Sequence, residues 1–263
     1  MAQRIVTGVI AGAAFVGLLI AGGWFYPALL LAMALIGYGE FVRLNGHDWK
    51  RPDALIGFAA VALLALPEAP LGRELPSFET IVWLLMFALL SGTVFSKNRI
   101  HLEHVGVLLL GAVYVGTGFH YMAATRELDN GLFWSALTFA CIWASDAGAY
   151  FVGKAIGRTK LWPAISPNKT VEGALGGVAI AVAAGLIFAA ARPEWLGYGQ
   201  AALIGLTAAI AGQLGDLVQS AYKRYRGVKD SGRLLPGHGG VLDRTDSWLI
   251  VFPIVHLLGL LAG

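Results

Sequence analysis

Asp216, Ser220, Lys223 and Arg224 are spaced i, i+4, i+7 and i+8, so on a helix they share one face, a carboxylate stacked under a hydroxyl and two cations. Lys229, Asp230 and Arg233 follow in a Gly-punctuated stretch, then Pro236-Gly237-His238-Gly239-Gly240, then Asp243-Arg244-Thr245-Asp246. Those glycines let the backbone approach a ligand closely or adopt positive φ. If the last four residues open a helix, Asp243 and Asp246 share a face at i,i+3. Carboxylates on separate segments with Lys and Arg between them suit Mg²⁺-nucleotide chemistry. Mg²⁺ takes a few carboxylate oxygens and leaves positions for water and phosphate. The cations neutralise charge at a transferring phosphorus. Types and spacing therefore predict metal-assisted phosphoryl or nucleotidyl transfer.

Other acids sit in or at the ends of apolar stretches: Glu40, Asp146 and Glu172. An ionised group facing lipid is costly, so such groups face a polar interior or pair with something. Asp146, in CIWASDAGAYFVGK, is flanked by small residues that permit close helix packing, as Asp216 is by Gly212 and Gly215. Glu40 precedes Arg43 by three residues, and an ion pair between them accounts for it. Glu172 opens an apolar run, where a helix dipole favours an acid. The loop at 153–170 carries four basic residues with Ser166, Asn168 and Thr170. That suits phosphate binding, and equally an ordinary basic loop against anionic headgroups. His47, His101, His104, His120 and His256 share no metal-ligand spacing, and the single Cys141 lies in an apolar run.

The elements that must position these residues are membrane helices. The 263 residues are 57% hydrophobic and 13% charged, with mean hydropathy +0.69, which excludes an ordinary soluble domain. Apolar stretches near 5–22, 24–42, 54–66, 80–95, 104–124, 132–153, 172–191, 199–222 and 246–262 predict an all-α, polytopic helical bundle of about nine transmembrane helices. Turns at Gly22-Gly23, Pro67 to Pro76 and Arg192-Pro193 separate some of them. The first stretch is longer than a signal-peptide core and reads as a retained span. With the N-terminus cytoplasmic, 16 of 19 basic residues fall on the cytoplasmic side, and only Arg73, Arg126 and Arg192 do not. That bias fixes the orientation and puts 220–247 in the cytoplasm.

Neither G-x-x-x-x-G-K-[ST] nor G-x-G-x-x-G is present. The string Ser220-x-x-Lys223-Arg224, Lys229-Asp230, Gly232, Pro236, His238-Gly239-Gly240 and Asp243-Arg244-x-Asp246 resembles the signature of the bacterial phosphatidate cytidylyltransferase (CDP-diacylglycerol synthase) family. Tyr222 departs from it, standing where the family has an aliphatic residue or Phe. Ser145-Asp146-x-Gly148-Ala149-Tyr150, Ser166-Pro167-x-Lys169-Thr170-x-Glu172-Gly173 and Gly215-Asp216 are similar to further family elements.

The resemblance implies transfer of the cytidylyl group of CTP to phosphatidate, giving CDP-diacylglycerol and pyrophosphate, in the inner membrane with the site facing the cytoplasm. It implies Mg²⁺, with room for a second or monovalent cation, held first by Asp216 and Asp243 and then by Asp146 and Asp246. Lys223, Arg224, Lys229, Asp230 and Arg244 are implied as catalytic. Ser166, Asn168, Lys169, Thr170, Ser220, His238, Gly239 and Gly240 are implied in substrate binding. The partners are CTP, phosphatidate and membrane lipids, not nucleic acid, and a homodimer is left open. The chain reads as one membrane domain, with residues 1–130 contributing topology and 131–263 the catalytic half. A CTP-dependent lipid kinase and an ion-coupled transporter are the competing readings; the second lacks paired broken spans.

Overall fold

The computed structural model describes residues 2–66, 75–234 and 237–261. The expected turn at Pro67 to Pro76 lies largely outside the described residues, as does Pro236 of the signature. The regular structure of the described chain is helical, apart from one small hairpin. Two compact units divide it, one of Met1–Ala124 with Asp230–Arg244, the other of Thr125–Lys229 with Thr245–Gly263.

In the first unit, α1 (Ala2–Ala21), α2 (Phe25–Leu44), α3 (Pro52–Ala65), α4 (Phe78–Phe95) and most of α5 (Leu102–Glu127) follow in order. Pro52 at the first position starts α3, and Ser77 caps α4 by accepting from the Thr80 backbone N–H. Tyr38 and Phe41 of α2 are buried between neighbours on α3 and α5. The Tyr38 hydroxyl donates to the Leu108 carbonyl at 3.4 Å, its ring meets Phe58 edge-on, and Gly111 makes room for Phe41. The returning segment from Asp230 ends in the short α9 (Leu242–Thr245), whose Leu242 is fully buried against Gly37 of α2.

The second unit holds α6 (Gly131–Ile156), strands β1 (Lys160–Trp162) and β2 (Ser166–Thr170), α7 (Val171–Ala191), α8 (Tyr198–Tyr225) and α10 (Trp248–Leu257). The buried stripe of α7 is Gly173, Gly177, Ala181, Gly185 and Ala189, small residues every four positions. That stripe brings backbones into contact: Gly177 lies against the Ser145 carbonyl of α6, and Gly185 against the Ala201 carbonyl of α8. In lipid, where apolar side chains gain little by leaving their surroundings, such close packing is what holds helices together. Gln213 of α8 reinforces it, donating to Ser145 Oγ on α6 and to the Ala174 carbonyl on α7.

Each of the nine expected apolar stretches coincides with a helix. Six are long and apolar enough to cross a membrane: α2, α4, α5, α6, α7 and α8. The chain is a multi-pass membrane protein. The described apolar part of α1 (Val6–Ala21), α3 and α10 are shorter. At 1.5 Å per residue the 10 residues of α10 extend about 15 Å, half of a hydrocarbon core of about 30 Å. Two local expectations change. The 153–170 loop contains an antiparallel hairpin, pairing Lys160 with Thr170 and Trp162 with Ser166. The final helix does not run on from Asp243: α9 stops at Thr245 and α10 starts at Trp248, so Asp243 and Asp246 do not share a continuous helix. The break has a local cause. Ser247 donates its backbone N–H to Asp246 Oδ1 and its hydroxyl to the Gly212 carbonyl of α8, which fixes a turn there.

Candidate active site

In the second unit the site is built on α8. Two turns from its C-terminal end, Asp216 accepts the Ser220 hydroxyl at 3.2 Å on Oδ1 and the Lys169 ammonium at 2.6 Å on Oδ2. Both members of that ion pair are partly exposed, at 27% and 35%. Asp146 of α6 is exposed and interacts electrostatically with Asp216 and Lys169. Asp246 interacts with Asp216, Asp146 and Lys223. The unit thus gathers Asp146, Asp216 and Asp246 with Lys169, Ser220 and Lys223 in one charged neighbourhood. Among the described residues no three His, Cys, Asp or Glu side chains stand at metal-binding spacing.

Lys169 reaches Asp216 because the hairpin is tied down at its base. The Thr159 carbonyl accepts from the Val171 N–H, Thr170 Oγ1 caps α7 by accepting from the Gly173 N–H, and Glu172 accepts the backbone N–H groups of Arg158 and Thr159 at 3.1 Å. The acid read as a helix-dipole partner therefore also organises the hairpin. Ser166 is half-buried and Asn168 exposed. Arg224 donates to the Val228 carbonyl and closes the turn after α8, and Lys229 is exposed.

The first unit contains the signature loop, and here sequence reasoning missed the main feature. Glu40 of α2 is 4% exposed. Its Oε1 accepts the Val241 N–H, and its Oε2 accepts the Leu242 N–H and the Ser231 hydroxyl, each at 3.0 Å. The expected partner, Arg43, is exposed; the buried carboxylate turns instead to backbone donors, because an unpaired charge inside the unit would be costly. Asp243 Oδ2 accepts from the Ser231 N–H at 2.7 Å, the Ser231 hydroxyl at 3.0 Å and the Gly240 N–H at 2.9 Å. Ser231 has one hydroxyl proton between two carboxylates.

The glycines acquire a different meaning. A Cβ at Gly232 or Gly240 would overlap the Glu40 carboxylate, and one at Gly239, where φ is +81°, would overlap Asp243. At Gly240 the close approach expected of a ligand is made by the protein's own acid, and the same acid fills the space at Gly232. His238 packs its ring against Gly8 of α1, and its Nδ1 is buried with no hydrogen-bond partner among the described residues. Arg244 is exposed and donates from Nε to the His238 carbonyl at 2.9 Å, and Asp230 is exposed. Glu40 and Ser231 were the residues sequence reasoning did not select. The available signal was an acid buried among the apolar and small residues of MALIGYGEF, without a stretch of loop to solvate it.

Residues 2–262 match the model of the cytidylyltransferase family. A protein of Bacillus subtilis (strain 168) named phosphatidate cytidylyltransferase is 42% identical over 261 residues, covering 98% of this chain and 97% of its own length. Proteins of the same name from Staphylococcus haemolyticus and Staphylococcus aureus (strain COL) are each 38% identical, over 98% of both chains. With the match running from end to end, the chain belongs to the cytidylyltransferase family.

Proposed function

We propose that this protein transfers the cytidylyl group of CTP to phosphatidate, forming CDP-diacylglycerol and pyrophosphate in phospholipid biosynthesis. The observation that carries the proposal is Asp216 held between Lys169 and Ser220, in a chain alike over 98% of its length to relatives named phosphatidate cytidylyltransferase. A phosphate oxygen of phosphatidate attacks the α-phosphorus of CTP; the bond from that phosphorus to the bridging oxygen breaks, and pyrophosphate leaves with the electron pair. The nucleophile is already anionic, so the chain's task is to bring two polyanions together. Lys223 and Lys169 supply cationic charge beside the acids, and Arg224 shapes the turn that follows. The segment His238–Gly240 is assigned to the nucleotide.

Asp216, Asp246 and Asp146 offer the hard oxygen donors that Mg²⁺ takes. The Lys169 ammonium paired with Asp216 supports this reading, since a cation already stands against that carboxylate. A bound Mg²⁺ would neutralise phosphate charge there. The positive-inside bias supports a site facing the cytoplasm from the bacterial inner membrane.

Purified protein given phosphatidate and CTP labelled at the α-phosphorus tests the reading. Label appearing in CDP-diacylglycerol, dependent on Mg²⁺, with release of pyrophosphate, is the expected result. Label left in CDP beside a newly phosphorylated lipid would replace the proposal with a lipid kinase.

A further inference from the structure

We propose that Glu40 is a positioning residue for the transfer reaction, holding the signature loop from outside it. The inference rests on the proposed cytidylyl transfer for its kinetic arm alone. Glu40 lies 191 residues before Ser231 and 201 before Val241 in the chain, yet its carboxylate accepts hydrogen bonds from Ser231, Val241 and Leu242. These donors bracket the loop that carries His238, Gly239 and Gly240. Asp243 organises the same loop from within, through Ser231 and Gly240. Glu40 differs in belonging to α2, so it fixes the loop to a membrane helix. Gly232 and Gly240 are shaped around it, since a side chain at either would displace its carboxylate.

The geometry requires a carboxylate and not merely a polar side chain of that size. Both oxygens accept from backbone N–H groups: Oε1 from Val241, Oε2 from Leu242. A glutamine has one acceptor oxygen and an NH₂ that only donates. Whichever way it turns, the NH₂ confronts one of the two N–H groups. Shape and charge therefore make opposite predictions. If Glu40 only fills space, Glu40→Gln is the mild variant and Glu40→Asp the damaging one. If it holds the loop, the order reverses.

The test measures hydrogen exchange of the full-length protein in detergent together with turnover of phosphatidate and CTP. Glu40→Gln is expected to lose about tenfold or more of the amide protection at Val241 and Leu242, the fold-change of one broken charged hydrogen bond. Its kcat is expected to fall about a hundredfold, as for other small misplacements of a reacting group. Glu40→Asp is expected to retain more of both. Amides of α6, α7 and α8 should exchange as in the parent. Parental turnover in Glu40→Gln, Glu40→Gln outperforming Glu40→Asp, or protection lost equally throughout α1 to α5, would each overturn the proposal. Should the parent protein make no CDP-diacylglycerol, the proposed activity fails, while the exchange at Val241 and Leu242 still decides whether Glu40 holds the loop.

Discussion

The two acid-rich regions of this protein are satisfied in opposite ways. Around the signature loop, Glu40 and Asp243 are buried and accept mainly backbone N–H groups. Around α8, Asp216 is partly exposed, and its partners are the ends of two side chains, Lys169 and Ser220. Hydrogen bonds to a charged group contribute about 1.5–3 kcal/mol each, and leaving such a group buried without them costs more. A partly exposed ion pair contributes about 1 kcal/mol or less. The loop acids are thus committed to shape, whereas Asp216 can exchange its cationic partner cheaply. A buried charge that meets backbone fixes a loop; a partly exposed charge that meets a side-chain ammonium can take another cation in its place.

The sharpest way to break this comparison is Asp216→Ala. Removing an exchangeable charge should leave the fold intact and abolish catalysis. CTP- and Mg²⁺-dependent formation of CDP-diacylglycerol is expected to fall by about a thousandfold, at the upper end for loss of one electrostatic contributor. The variant should still insert and elute from detergent as the parent does. Near-normal turnover would sink the assignment of Asp216 to the reacting centre.

Asp243→Asn sharpens the other side. All three of its hydrogen bonds described above go to one oxygen, Oδ2. An asparagine can place its single acceptor oxygen there, which Glu40→Gln cannot do for two separated donors. Amide protection at Gly240 should therefore survive. If Asp243 only shapes the loop, turnover drops about tenfold or less, the cost of weakening charged hydrogen bonds to neutral ones. If it also holds the cation, the role that the family resemblance implies for it, turnover falls much further with protection intact. Exchange and kinetics on the same variant separate the two.

The architecture was largely legible in the sequence, because lipid imposes length and hydropathy on anything that crosses it. Each of the nine apolar stretches contains a helix, six of them long and apolar enough to cross a membrane, and the spacing of Asp216 and Ser220 did place them in contact. What was illegible depended on long-range partners. Glu40 is three residues from Arg43 and 201 from Val241, and local spacing favours the wrong neighbour. His47 and His104, with no shared motif, have rings 4.1 Å apart. The hairpin was hidden by its two prolines, Pro163 and Pro167, which read as loop. The glycines of the signature were recognised as sites of close approach, but what approaches two of them is the protein itself.

Lys169→Ala is a smaller perturbation of the α8 region. It removes the ammonium on Asp216 and leaves the hairpin backbone unchanged. An apparent Michaelis constant raised, or a turnover lowered, by about tenfold is expected for one of several cations serving the phosphates. Because the pair is partly exposed, the thermal midpoint should barely move. Unchanged kinetics would return this stretch to an ordinary basic loop.

The smallest effect is expected at Glu172, one step further from the chemistry. Its carboxylate accepts the Arg158 and Thr159 N–H groups and so steadies the hairpin that carries Lys169. Two other ties remain when it is removed: the Val171 N–H on the Thr159 carbonyl and the Thr170 cap on α7. Lys169 is adjacent to that cap and should keep its place on average. Glu172→Ala is therefore expected to lower turnover only about twofold to threefold, the equivalent of about 0.5 kcal/mol. It should do so through Lys169, so the double variant Glu172→Ala with Lys169→Ala should be no worse than Lys169→Ala alone. A double variant slower than both singles would mean that Glu172 acts on the substrates by a route of its own, and that the α8 region also contains an acid committed to more than shape.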